Sequence, residues 1–241
     1  MIEMRSHNNP VNALGFWSAI MAAIASIAFS LAVLLPLLWA PGAPWDDILP
    51  LAPSLLLAPA LLAMFVCTHD LVPVEKQIWM RLAVAFAAVY VPLCTTAYVV
   101  QLFVVTPRVM RGAGDQVALL TVARLDSVLN AIDGLGYLFL SLATLFAAPA
   151  FGGRRLERWI RGLLLANGLL GLPIFLTYFV SRTFIVVAGL WGITIPCIAI
   201  LLAVAFRRRY NESRLEADRH MEQPAPAVED AVGKHVPGWG A

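Results

Sequence analysis

Polar residues along this chain gather in short clusters, and the apolar stretches between them are long. Their alternation predicts six membrane-spanning helices, near residues 14–40, 48–68, 78–106, 128–151, 159–181 and 184–206. A run of about 18 or more apolar residues exceeds what a soluble core needs and argues for a span. Each run is long enough to cross a hydrocarbon core of about 30 Å at a rise of about 1.5 Å per residue. The first run is too long for a cleavable signal peptide and has no clear cleavage site, so it is expected to remain as span one. The expected fold is an all-α polytopic membrane helix bundle. Residues 1–13 form a short polar lead. Residues 207–241 form a polar tail, helical to about residue 221 and mostly disordered beyond. After the loop PRVMRGAGDQ, the segment VALLTVARLDSVL has apolar positions suited to an interfacial helix or to an extension of span four.

The fourth run breaks the apolar pattern. In LDSVLNAIDGLGYLFLSLATLF, residues 125–146, the polar residues Asp126, Asn130, Asp133, Tyr137, Ser141 and Thr144 recur at spacings of four and three. Those spacings place them on one helix face. Lipid does not solvate a carboxylate, and even lenient insertion scales charge about 2.5 kcal/mol for Asp at mid-bilayer. The stripe therefore has to face protein or a wet cavity. Span three carries a matching line of Tyr90, Cys94, Tyr98 and Gln101, and span five offers Asn167, Gly171 and Tyr178, followed by Arg182. With the helices alternating in direction, Tyr98, Gln101, Asn130, Asp133, Tyr137, Tyr178 and Arg182 are expected to converge in the outer half of the bundle, as a polar pocket open to the external side and centred on Asp133. The competing reading is structural: Ser, Thr, Asn and Tyr often link membrane helices by hydrogen bonds worth about 0.6 kcal/mol each. Asp133 paired with Arg182, or accepting from Tyr98 and Gln101, would then simply pin three helices together.

Composition agrees with the membrane reading: 60% of the residues are hydrophobic and 13% charged, against roughly 25% charged in a typical soluble domain. The net charge of +2 says little, but its distribution sets an orientation. Arg154, Arg155, Arg158 and Arg161 crowd the link between spans four and five. Lys76 and Arg81 lie between spans two and three, and Arg207, Arg208 and Arg209 follow span six. The opposite side holds Arg108, Arg111, Arg124 and Arg182, and the loop PGAPWDD has no base. The positive-inside rule places both termini in the cytoplasm of a bacterial inner membrane. Because these bases flank spans, the expected partner is the lipid bilayer with its anionic headgroups, and nucleic acid is not expected.

Cys67, Cys94 and Cys197 show no CxxC spacing and fit as small packing residues. His7, His69, His220 and His235 lie outside the spans, so neither haem nor an intramembrane zinc site is expected, and no cofactor is. The lysines Lys76 and Lys234 also lie outside the spans, which excludes a retinal Schiff base. No phosphate-cradling glycine loop and no GxSxG elbow is present. Trp17, Trp39, Trp45, Trp79, Trp159 and Trp191 mostly mark span ends as interfacial anchors. Prolines fall inside spans two, three, five and six, where they are expected to kink the helices.

The segment LFAAPAFGGRRLERWIRGLLLANGLLGLP, residues 145–173, has an Arg-rich turn, then RWI, then a glycine-containing apolar helix. It resembles the helix–basic loop–helix of small bacterial multi-span proteins known as domains of unknown function. The resemblance covers about a fifth of the chain and implies no assigned chemistry, so no site residue comes with it. From the residues themselves, the first functional expectation is binding or transport of a small amphipathic molecule, with proton coupling through Asp133 as the natural mechanism. A homodimer would give a more usual transporter size. The second is an intramembrane enzyme acting on an isoprenoid or lipid, with Asp133 as general acid. Such chemistry usually needs two ionisable groups, and only Asp126 is at hand. The third is a structural or accessory membrane protein.

Overall fold

The structure, a computed structural model, describes residues 9–39, 42–181 and 183–222. Most of the polar lead, Arg182 and the tail beyond residue 222 lie outside the described residues. The described chain is all-helical: α1 (Asn9–Leu34), α2 (Trp45–Leu71), α3 (Gln77–Val100), α4 (Thr106–Met110), α5 (Val128–Ala147), α6 (Arg155–Leu169), α7 (Gly171–Phe179), α8 (Phe184–Ala188) and α9 (Trp191–Glu222). Six helical stretches are long and apolar enough to cross a membrane: Pro10–Leu34, Trp45–Leu71, Val74–Met110, Val128–Ala150, Arg155–Phe179 and Trp191–Leu215. Their outward faces expose Ile24, Leu56, Phe103, Leu172 and Ile193, among many others. Apolar surface on that scale is consistent with a multi-pass membrane protein, whose lipid covers it.

The helices pack in a closed ring. α1 lies against α2, α2 against α3, α3 against α5, α5 against α6, α6 against α9, and α9 returns to α1. Alternate small and large residues make this possible. Ala19, Ala22, Ala23 and Ala25 present a thin face of α1, while Leu57, Leu61, Met64, Met80, Leu140, Ile160, Leu164, Ile195 and Phe206 fill the centre. The beginning of α1 meets the end of α9, where Asn12, Phe16, Arg207 and Tyr210 line one shallow cavity.

Two local departures from regular helix shape the opposite end. Span three passes at Gln101–Val105 into a π turn before α4. Pro107 lies just beyond, and it lacks the N–H that Phe103 would use in a continuous helix. Span five breaks between α6 and α7 at Leu170. Pro173 supplies the reason, since it cannot donate to the carbonyl of Leu169 four residues back. The break separates two packing environments: α6 sits against both α5 and α9, whereas α7 packs mainly on α5 and α8. A wedge is thereby left between α7 and the start of α9.

The segment 117–129 is neither an interfacial α-helix nor an extension of span four. A 3₁₀ helix covers Gly114–Leu120, irregular chain follows, and α5 starts only at Val128. Ser127 is the cause. Its hydroxyl accepts from the Asn130 N–H at 3.0 Å and donates to the Thr121 carbonyl, which fixes the start of α5. Span six likewise begins at Trp191 rather than near residue 184, because the short α8 occupies the intervening chain.

Candidate functional site

The polar stripe on α5 divides into three stretches with different surroundings. At its head, Asp126 pairs with Arg124 at 2.7 Å in an exposed position. At its foot, Thr144 takes part in a buried clamp across three helices. The Asn167 amide donates to the Thr144 hydroxyl at 3.0 Å, and the Thr194 hydroxyl donates to the Asn167 carbonyl oxygen at 2.6 Å. Asn167 is completely buried, and both ends of its amide are used. This part of the stripe holds helices together.

The middle stretch, Asn130 to Tyr137, faces the wedge. The Asn130 side chain donates to the Val122 carbonyl at 2.7 Å and tethers the preceding loop. The Tyr178 hydroxyl reaches from α7 to the carbonyl and side-chain oxygens of Asn130, both at 2.7 Å. Its ring lies directly over Gly134, where an added Cβ would come within 2.3 Å of the hydroxyl. One turn deeper, the Tyr137 and Tyr98 hydroxyls are 3.0 Å apart, which joins α5 to α3. The Tyr137 ring meets Trp191 edge-on with centroids 5.2 Å apart, and Trp191 meets Phe29 of α1 at 5.9 Å.

Between these groups lies a cavity of about 500 Å³, lined by the end of α1, the start of α5, α7 and the start of α9. Asp133 and Tyr137 of α5, Trp191 and Ile193 of α9, and Phe29, Val33 and Ile174 line it. Such a volume falls within the range of small-molecule sites. Val33, Leu34 and Ile193 at its edge are exposed, so the cavity opens among outward apolar residues.

Three buried side-chain polar atoms have no hydrogen-bond partner among the described residues: Asp133 Oδ1, Ser141 Oγ and Trp191 Nε1. Two of these three residues line this one cavity, one contributing an acceptor and the other a donor. Buried polar atoms are nearly always paired, so two orphans at one cavity mark it out. The Tyr98 hydroxyl and the Cys94 thiol also lie beside the Asp133 carboxyl group, and the thiol sits 3.9 Å from the Asp133 main-chain oxygen. No Lys, Arg or His lines the cavity among the described residues.

The structure thus brings together Asp133, Tyr137, Asn130 and Tyr178 at the cavity, with Tyr98 directly behind Tyr137. Gln101 does not join them. Its amide nitrogen donates to Asp47 Oδ2 at 3.1 Å, and its oxygen accepts from the Val122 N–H at 2.9 Å. Thr106, in the turn that follows the π segment, donates to the same Asp47 oxygen. Gln101 is therefore the centre of a knot tying the start of α2, the end of span three and the 114–127 loop. Arg182, the remaining candidate, lies outside the described residues. The Gln101→Ala variant leaves Asp47 and the Val122 N–H short of partners, which should cost about 1–3 kcal/mol. Thermal unfolding in detergent should show a clear fall in midpoint, whereas an unchanged midpoint would remove the knot from the account.

Two residues, Trp191 at the cavity and Asp47 in the knot, have signals that sequence reasoning passed over. Trp191 sits at a helix start and reads as an interfacial anchor, yet only 4% of it is exposed. The neighbouring Gly192 allows α1 to come close, and the Ser30 hydroxyl donates to the Gly192 carbonyl at 2.9 Å. Asp47 looks like a surface acid of a loop without bases until Gln101 is seen against it. At the other end of the bundle, Lys76, Arg154, Arg208 and Arg209 surround a separate cavity of about 340 Å³. Among the described residues, no group of three or more His, Cys, Asp or Glu side chains is placed to hold a metal ion.

Compared with protein-family models, curated proteins and solved structures, the chain matches none. The class defined by fold and composition is therefore an all-helical chain with six helices able to span a membrane, and function has to be argued from the cavity itself.

Proposed function

We propose that this is a multi-pass protein of a bacterial cytoplasmic membrane, with both termini in the cytoplasm, that binds and transports a small amphipathic molecule through the cavity around Asp133. The observation that carries this reading is Asp133, which lines an apolar cavity and whose buried Oδ1 has no hydrogen-bond partner among the described residues. A carboxylate at membrane depth costs about 2.5 kcal/mol even on lenient scales. No Lys, Arg or His among the described residues lines the cavity to neutralise it, so the acid is a net cost to the bundle. A residue that breaks a local rule without a structural return points to function. The exposed apolar rim suits a molecule that arrives from lipid, and the carboxylate and aromatic wall suit its polar end. The orientation is supported by Lys76, Arg154, Arg208 and Arg209, which gather at the end away from the cavity. The enzymatic alternative has no second carboxylate lining the cavity among the described residues, and Asp126 is engaged by Arg124 outside it.

Mass spectrometry of what co-purifies with the protein tests the reading. One amphipathic species should be enriched in the wild type and depleted about tenfold or more in Asp133→Asn and in Ile174→Trp, which fills the cavity. The same set of molecules in all three folded proteins would overturn it.

A further inference from the structure

Resting on the reading of this cavity as a ligand site, its wall carries further chemical information about what occupies it. We propose that the occupant is a lipophilic organic cation bearing at least one N–H, a protonated amine, with a hydrogen-bond acceptor elsewhere on the molecule. Three observations point the same way. The fixed charge on the wall, among the described residues, is the single Asp133 carboxylate. An anionic ligand would bring like charges together in a low-dielectric site, which is strongly unfavourable. The orphaned atom on that carboxylate is an acceptor, Oδ1, so the matching group is a donor as well as a positive charge. The surrounding surface is aromatic: Tyr137 and Trp191 meet at right angles with centroids 5.2 Å apart, and Phe29 lies 5.9 Å from Trp191. Ring faces of this kind attract cations, most strongly where water is excluded.

Trp191 supplies the second point of recognition. Its Nε1 is buried and donates to nothing among the described residues, and Trp191 lines the same cavity as Asp133. Indole nitrogen is a donor only. A hydroxyl, ether or carbonyl oxygen on the ligand would satisfy it, which distinguishes the proposed occupant from a bare alkylamine. The rest of the wall, Val33, Ile174 and Ile193, takes the apolar part.

Four probes with one phenylbutyl body separate the possibilities: phenylbutylamine, its trimethylammonium analogue, phenylbutanol and phenylbutyrate. Equilibrium dialysis against the purified full-length protein in a neutral detergent measures their binding. The amine should bind at least about tenfold more tightly than the alcohol, and phenylbutyrate should be weaker still. The trimethylammonium probe should fall between amine and alcohol, because it keeps the charge and loses the N–H. Asp133→Asn should bring amine and alcohol to equal affinity, and Ile174→Trp should weaken both. If the alcohol or phenylbutyrate binds as tightly as the amine and Ile174→Trp still displaces it, the cavity is a site but the cation assignment fails. If no probe binds, or Ile174→Trp changes nothing, the cavity reading fails and the cation assignment with it.

Discussion

Replacing Asp133 by Asn should make the ligand-free protein more stable. The amide has nearly the shape of the carboxyl group and keeps an oxygen acceptor toward Tyr98 and Cys94. It removes the group whose Oδ1 is buried and has no hydrogen-bond partner among the described residues. Burying a neutral amide without a full set of partners costs less than burying an ionised carboxylate. The difference, set against about 2.5 kcal/mol for Asp at membrane depth, should return about 1–2 kcal/mol. Thermal unfolding in detergent should then show a midpoint higher by a few degrees, together with loss of ligand binding. The structural alternative predicts the opposite sign. An acid that pins helices through a buried cation would leave that cation unpaired when replaced, at a cost of about 3–5 kcal/mol. A fall in midpoint would therefore identify a charged partner such as Arg182 and end the ligand-site reading of Asp133. Gains in stability on losing a functional group are the usual exchange at binding sites.

How far the sequence foretells this arrangement depends on whether a property belongs to one helix or to a pair. Six long apolar helices follow from length and composition alone, because crossing lipid demands that every backbone group bond within its own segment. The face carrying Asn130, Asp133 and Tyr137 is also local, since the helical repeat fixes it. Which neighbour meets that face is not local. Gln101 shares its face with Tyr98, but it lies where α2 begins, and Asp47 takes it first. Trp191 stands at a helix start like an anchor, but the close approach of α1 at Gly192 turns its environment into interior. The start of α5 was similarly hidden, because a Ser127 cap overrode the apolar periodicity that continues upstream. The break at Leu170 was legible as a proline but not as a wedge. Its consequence depends on α6 and α7 having different neighbours.

Introducing valine at Gly168 should be among the most damaging glycine replacements in the bundle. A Cβ built there would lie 2.7 Å from the Cβ, 2.9 Å from the Cα and 3.0 Å from the backbone nitrogen of Leu145. These are main-chain and near-main-chain atoms, so no flexible side-chain end can swing aside. α5 and α6 must separate. The neighbouring Asn167 spans the same crossing, bonded to Thr144 at 3.0 Å on α5 and to Thr194 at 2.6 Å on α9, and both bonds depend on that spacing. Overpacking a well-filled contact costs about 1–3 kcal/mol, which is the expectation for Gly168→Ala. Gly168→Val adds a branched side chain to the same gap and should exceed that range, with little folded protein recovered. The change would also tilt α7, which follows directly from α6, and carry the Tyr178 hydroxyl away from Asn130. Gly162 on the same helix is the matched control, since an added Cβ there meets nothing within 4 Å. Gly162→Ala should be neutral or stabilising by up to about 1 kcal/mol, from helix propensity alone. Paired thermal melts of the two alanine variants decide the matter: equal midpoints would mean that α5 and α6 do not approach closely enough to hold the Asn167 clamp.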